Sequence, residues 1–564
     1  MNNKMTIVLS LILLVAVLLT LSGCGTAELP CFDETEEVNG NIFYKNELQH
    51  TGADPDCIYV SEGEGAGYFY LYATSDPMMN KGFIGWRSKD LNNWEAVGVV
   101  FTPEDDSLCN TMLWAPEVIY NPVDRLYYMY YSALRNDYTK KETNDIEYLT
   151  LCVAYSSSPC GPFVQCEGVN ALGQRLGRTD ELINFQENLK TERHWCTIDA
   201  SPFLDDDGTL YLYFSNSDPV DSTRTGIWGM KMLDAVTPDY STVKQLTKAG
   251  TLSLDSYSPA TFDGEGINEA PYMIKHNGKY YLTYSTYGFT SPHYSVCLAT
   301  SDNPLGSFVK NQTGNPILGK ESYFDHMTGT GHHSFVRAGD QLFIVYHAHK
   351  ARGYVSQSER AIAFDEAFFT YDETLGFDTI HVNGPTYSVQ PLPTVYTGYY
   401  NCMSEAKIQL TNITSGSADS LTDHIVTIHP DDFSKEVVVG GKTKITIDFE
   451  ESQKIAAVMI YNSVEISYAF DKIDSVKLYF DTSKMDPSSP YYGKKSMMAK
   501  DIVFDPDYFL EDIFVRPGGA AICEFAEAPV SKIEIEISSK YLKEIDEKGI
   551  GISEIVVLAA KEGN

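Results

Sequence analysis

Three carboxyl side chains stand at the heads of short apolar strands in similar stretches: Asp54 in ADPDCIYV, Asp199 in TIDASPFL and Glu269 in NEAPYMI. A carboxylic acid and a carboxylate on opposite sides of one bond can protonate a leaving oxygen and activate a water. For inverting cleavage of a glycosidic bond the two must lie about 6.5–9.5 Å apart. A third acid also has a use, because like charge nearby disfavours ionisation and keeps a proton donor loaded near neutral pH. Taken singly, each of these acids could instead cap a turn or strand. Asp56 and Glu117 compete for the same work.

The elements that must bring the three acids together are written as a repeat. Each copy is an apolar entry strand, a polar turn and an aromatic strand, as in TIDASPFL, DDDG, TLYLYFS. The copies begin at Asp54, Trp114, Asp199, Glu269 and His332. From each entry residue to its aromatic strand the offset is about nine to thirteen residues, and copies recur about every 60 to 85 residues, enough for a four-stranded blade with its loops. A five-bladed β-propeller follows. Its innermost strands run in one direction, so their entry residues gather at one end of the channel.

The stretches ADPD, IDASPFLDDDG, NEAPYMIKHNGKYYLTYS, GTGHHSF and NGPT resemble glycoside hydrolase family 43 over about residues 40–393. The resemblance implies a catalytic five-bladed propeller with Asp54 as general base, Asp199 as the residue that tunes and orients, and Glu269 as general acid. It implies a substrate-binding place for Arg360 and an axial place for His332, near a bound water or a structural calcium ion in the channel, with no cofactor required. Trp114, at the second entry, is a candidate wall of a sugar pocket. A core tryptophan, a hydrogen-bonded core histidine and an arginine paired with a surface acid are the plainer accounts of these three. Two positions depart from the family pattern: Ala53 stands where some members have His, and Ala270 where many have Gly.

The rest of the chain sets the context. A Lys4-led apolar run ending at Leu21-Ser22-Gly23-Cys24 reads as a bacterial lipoprotein signal over residues 1–23, with Cys24 lipidated, a linker over 24–40 and the mature protein exported and membrane-anchored. A formal net charge of −35 argues against nucleic acid as a partner. The 38 tyrosines suit a strand-rich, ligand-stacking protein. Ten further cysteines show no CxxC spacing, so metal knuckles are not expected, while disulfides and buried thiols both stay open. With the propeller over 41–398, the short alternating strands after it predict a second all-β domain over 405–564, a β-sandwich that weakly resembles galactose-binding-like, discoidin-like modules.

The expected function is an inverting glycosidase acting on arabinose- or xylose-containing oligo- or polysaccharides. Two alternatives are a non-catalytic glycan-binding surface lipoprotein and a retaining fructosidase-like five-bladed enzyme. The latter needs its two carboxyls only about 5–5.5 Å apart.

Overall fold

The structure is a computed structural model that describes residues 41–74, 82–135, 149–169, 175–178, 182, 196–216, 221–251, 266–312, 314–319, 327–350, 359–499, 503–504, 518–541 and 548–561. The expected signal segment, Cys24 and the linker lie outside the described residues.

Five antiparallel sheets follow one another along the chain, each a meander whose strands pair in sequence order. Their first strands are Ala53–Val60, Thr111–Asn121, Thr197–Leu204, Asn268–His276 and Gly331–Ala338. Their second strands are Tyr68–Thr74, Leu126–Leu134, Leu210–Asn216, Lys279–Thr286 and Gln341–His349. These are blades 1 to 5 of the expected propeller. The hairpin turns use the chemistry that the sequence announces: Asn277 and Gly278 both take positive φ, 48° and 78°, as a two-residue type I′ turn requires.

The second strands are buried along almost their whole length rather than on alternate residues, because a neighbouring blade covers each face. Tyr130 packs into the cluster shared with blade 3. Its neighbour Tyr131 points the other way, with ring centroids 5.6 Å from Phe83 and 4.9 Å from Phe101 of blade 1. The hydroxyls tie the blades in order. Tyr72 donates to Pro159 O at 2.5 Å, Tyr130 to Ala235 O at 2.6 Å, Tyr213 to Pro304 O at 3.1 Å and Tyr281 to Asp378 O at 2.5 Å. Each bond runs from the second strand of one blade to an outer segment of the next, and each contributes about 1 kcal/mol net. Part of the tyrosine content is therefore interblade packing.

Blade 5 and blade 1 are joined differently. The segment before blade 1 lies against the third strand of blade 5, Arg360–Asp372. Asn46 Nδ2 donates to Phe364 O at 2.9 Å and to Thr386 O at 3.1 Å, and Phe364 N–H donates back to Asn46 Oδ1 at 3.2 Å. Gly52 N–H donates to Arg360 O, and Ile362 N–H to His50 O. The ring is closed in part by residues outside the blades, alongside direct bonds such as Cys57 N–H to Ser334 Oγ at 3.0 Å.

After a four-residue helix, Thr394–Thr397, the remaining strands form one ten-stranded antiparallel sheet. Its longest members, Thr443–Asn462 and Ala520–Ile537, break register between Asp448 and Gln453 and again between Ile455 and Ala457. These bulges bend the sheet around one apolar core that includes Ile445, Ile447, Val458, Ile460, Ile533 and Ile555. The opposite side chains, Ala457, Met459, Tyr461, Val556 and Leu558, pack with Ile42 and Val426 in a second apolar layer. Tyr461 hydroxyl donates to Gln390 Oε1 at 3.0 Å and Gln390 Nε2 to Gly518 O at 2.9 Å, so the C-terminal strands dock on the propeller. Among the described residues Cys57, Cys109, Cys152, Cys166, Cys297, Cys402 and Cys523 are buried thiols outside disulfides.

Candidate active site

All five first strands are bulged at the same end. The residue at the bulge has positive φ in each: Asp54 51°, Ala115 46°, Asp199 58°, Ala270 51° and His332 43°. The ladder to the second strand skips there in every blade. The left-handed conformation costs a non-glycine residue about 1–2 kcal/mol, and here it turns the residue's N–H toward the preceding blade. Asp54 N–H donates to His347 Nδ1 at 3.2 Å, Ala115 N–H to Thr74 Oγ1 at 2.8 Å, Asp199 N–H to Ser132 Oγ at 2.9 Å and His332 N–H to Ser285 Oγ at 2.8 Å. The acceptor occupies the same place in each second strand. Blade 4 breaks the rule: Ala270 N–H donates to Asp199 Oδ2 at 3.0 Å, and Ser215 Oγ, in the corresponding place, has no hydrogen-bond partner among the described residues.

This register corrects the reading of the repeat. Asp54, Asp199 and His332 are bulge residues, but Trp114 and Glu269 are one place earlier, before Ala115 and Ala270. The extra residue of a bulge lets two successive side chains serve the same end of the strand, so the offset does not send Glu269 to the other face.

Asp54 is buried, 8% exposed, in a set of polar contacts. Its Oδ1 lies 2.8 Å from Arg360 Nη1, 3.2 Å from His332 Nδ1 and 3.5 Å from His347 Nδ1, and its Oδ2 accepts from Thr74 Oγ1 at 2.6 Å. Burial alone would raise its pKa. The Arg360 charge, the His332 imidazole and the Thr74 hydroxyl outweigh burial and hold the carboxyl well below the usual range. Burial keeps His332 itself neutral, so facing a carboxylate it carries its proton on Nδ1.

Glu269 has the opposite setting. Burial, with the negative charge of Asp54 adding to it, raises its pKa to about 7 against the hydroxyl of Tyr294, which donates to Oε1 at 2.7 Å. Asp199 is driven up as well, first by burial and then by the charges of Glu269 and Asp54. The expectation that a charged Asp199 keeps Glu269 loaded is thereby revised: burial comes first for Glu269, and Asp199 itself tends to stay protonated. Its direct contact is with the peptide that follows Glu269.

The other expected residues fall around this group. Arg360 joins Asp54, and its guanidinium lies over the Phe289 ring, 4.5 Å from the centroid. Trp114 is half-buried at the place in blade 2 that Glu269 holds in blade 4. Asp56 and Glu117 belong to a layer further along the channel. Asp56 Oδ2 accepts from Val118 N–H at 2.7 Å, burial raises its pKa to about 7, and Glu117 is raised too. Neither acid shares the Arg360 contact. Among the described residues no three His, Cys, Asp or Glu side chains are arranged to hold a metal ion, and His332 turns Nδ1 to Asp54.

Sequence reasoning did not single out Thr74, His347 or Tyr294. The signal for the first two was present: Thr74, Ser132, Ser285 and His347 are polar residues near the ends of apolar, aromatic second strands. Tyr294 follows a loop whose path no local pattern announces.

The family model for glycosyl hydrolases family 43 matches residues 47–375, more than half of the chain. A xylosidase/arabinosidase of Bacteroides ovatus is 26% identical over 337 residues, 52% of this chain and 85% of that protein. A β-D-galactofuranosidase of Aspergillus niger is 33% identical over 168 residues, 29% of this chain and 39% of the relative, so this chain spans well under half of that protein's length. A solved structure of a thermostable family-43 glycoside hydrolase is 30% identical, covering 62% of this chain and 99% of that one with a TM-score of 0.48. From the acid-bearing motifs, the five blades that carry them and the extent of the family match, the chain belongs to glycosyl hydrolase family 43.

Proposed function

We propose that the protein is an inverting glycosidase acting on arabinose- or xylose-containing glycans, with Glu269 as general acid and Asp54 as general base. The observation that carries this reading is the separation of two carboxyls at one channel end: Asp54 is held ionised below the usual range while Glu269 keeps its proton up to about pH 7. Pairs pushed apart in this way mark acid and base assignments. In the proposed reaction Glu269 gives its proton to the leaving glycosidic oxygen as that bond breaks. Asp54 takes a proton from the water that forms the new bond at the anomeric carbon. Arg360, His332 and Thr74 keep Asp54 ionised and oriented, while Asp199 fixes the Ala270 peptide. The sugar class is supported by the relatives, among them the B. ovatus xylosidase/arabinosidase and an extracellular exo-α-(1→5)-L-arabinofuranosidase of Streptomyces avermitilis, 22% identical over 67% of this chain.

The test is a leaving-group series of aryl and natural arabinofuranosides and xylosides. Glu269→Ala should lose about 10²–10⁴-fold on natural glycosides yet keep much of its rate on aryl glycosides with acidic phenols, which depart without a proton. Asp54→Ala should fail on both. Equal losses by Glu269→Ala on activated and unactivated substrates would overturn the assignment, and release of the retained anomer, seen by proton NMR, would overturn inversion.

A further inference from the structure

Tyr294, directly before the third strand of blade 4 (Ser295–Ser301), is 1% exposed. The interblade hydroxyls of Tyr72, Tyr130, Tyr213 and Tyr281 bond to backbone carbonyls of a neighbouring blade. This one donates to Glu269 Oε1 at 2.7 Å. Its ring lies parallel to that of His347, with centroids 5.4 Å apart and planes 7° apart, and His347 Nδ1 in turn accepts the Asp54 N–H at 3.2 Å. A continuous path of contacts therefore joins the two carboxyl residues: Asp54 backbone, His347 ring, Tyr294 ring, Tyr294 hydroxyl, Glu269 carboxyl. Room for it is made by a glycine. A Cβ built on Gly331 would lie 2.5 Å from Tyr294 Cε1 and 2.6 Å from Cδ1, closer than carbon atoms approach without one of them moving. Gly331 holds the place in blade 5 that Glu269 holds in blade 4, so the Tyr294 ring occupies what would be a fifth side-chain position at the channel end.

We infer that Tyr294 is the positioning residue of the general acid: it orients the Glu269 carboxyl and sets its proton affinity, while its stack on His347 fixes the spacing between acid and base. The inference rests on the assignment of Glu269 as acid. With Oε1 engaged as an acceptor from the phenol, the proton to be transferred is carried on Oε2. The phenol also favours the ionised carboxyl, offsetting part of the burial that keeps Glu269 protonated. The charged or titratable groups that face Glu269 are Asp54 from blade 1, Asp199 from blade 3, Tyr294 from its own blade and Arg360 from blade 5. Of these, Tyr294 can lose its polar atom without losing its ring.

The experiment uses the full chain carrying Tyr294→Phe, Gly331→Ala or Glu269→Ala, with pH–rate profiles on an aryl glycoside of an acidic phenol and on a natural disaccharide. Tyr294→Phe keeps the stack and removes the hydrogen bond. Its basic limb should move up by about one pH unit, and its rate on the disaccharide should fall about tenfold or more with a smaller loss on the aryl substrate. Gly331→Ala, which displaces the ring, should act in the same direction, and its effect should largely vanish in a Tyr294→Ala background. A basic limb that stays in place in Tyr294→Phe, with only the melting temperature lowered, assigns Tyr294 to packing and overturns the inference. If Glu269→Ala loses activity equally on both substrates, the acid assignment itself fails, and that outcome is told apart by the Glu269 variant alone.

Discussion

Burial dominates the titration of single residues in this molecule. Asp56, Glu269, Asp365 and Glu436 are all raised to about 7, with burial the first cause in each, and burial likewise lifts Glu117, Asp199 and Glu554 well above the usual carboxyl range. A carboxyl whose folded pKa lies above its unfolded value contributes stability that is complete below about pH 4 and is lost as pH rises through the folded value. Buried neutral histidines such as His333, lowered to about 3, act in the opposite sense, but only below about pH 6.5, where the unfolded imidazole takes up a proton. Between about pH 6.5 and 8 the carboxyls therefore decide the slope. The melting temperature measured by calorimetry should fall as pH rises through that window, and a rise would mean that these groups are ionised at little cost. Asp54 adds nothing to this slope, since its depressed pKa places its own titration far below the window.

At the scale of the element, the five bulges are what place the chemistry. Ala270 is held at φ 51° directly after Glu269, a conformation that glycine adopts freely. Ala270→Gly should therefore keep activity and stabilise the fold by about 0.5–1 kcal/mol, read as a higher denaturation midpoint, whereas Ala270→Val should lose both. Loss of activity in the glycine variant would show that the alanine methyl itself supports the site. The blades themselves were legible in the sequence, because an aromatic second strand follows a polar turn in every copy, as at Asp205–Gly208 and Asn277–Gly278. The bulges were not. An inserted residue leaves the hydrophobic pattern of the entry strand intact, so Trp114 and Glu269 looked equivalent to Asp54, Asp199 and His332 when they stand one place earlier. The three acids stand in legible motifs, but Thr74 comes from the second strand of Asp54's own blade, Tyr294 from a loop of Glu269's own blade and His347 from blade 5, which only the closed ring brings to Asp54.

For the whole molecule, the C-terminal sheet is a structural neighbour of the propeller. Ala457, Met459 and Tyr461 face Ile42 and Val426, and Gln390 of the linking segment bonds to both Tyr461 and Gly518. A chain ending near residue 398 should uncover Ile42 and Phe43, strip Gln390 of these partners and lose thermal stability or solubility. If that shortened chain melts like the full one and loses only binding to glycan polymer, the sheet serves as a binding module instead. The closure of the ring has a consequence in time. The tyrosine ties from blade 1 through to blade 5 each join neighbours in sequence and can form in the order in which the chain leaves the ribosome, but Asn46 waits for Phe364 and Asp54 waits for Arg360, 306 residues later. Asp54 therefore gains its full set of partners only when the last blade has been made. A nascent chain that stalls or is clipped before Arg360 carries Asp54 and Glu269 but not the charge that keeps Asp54 ionised. With Asp54 as the proposed base, completion of synthesis is a condition of activity.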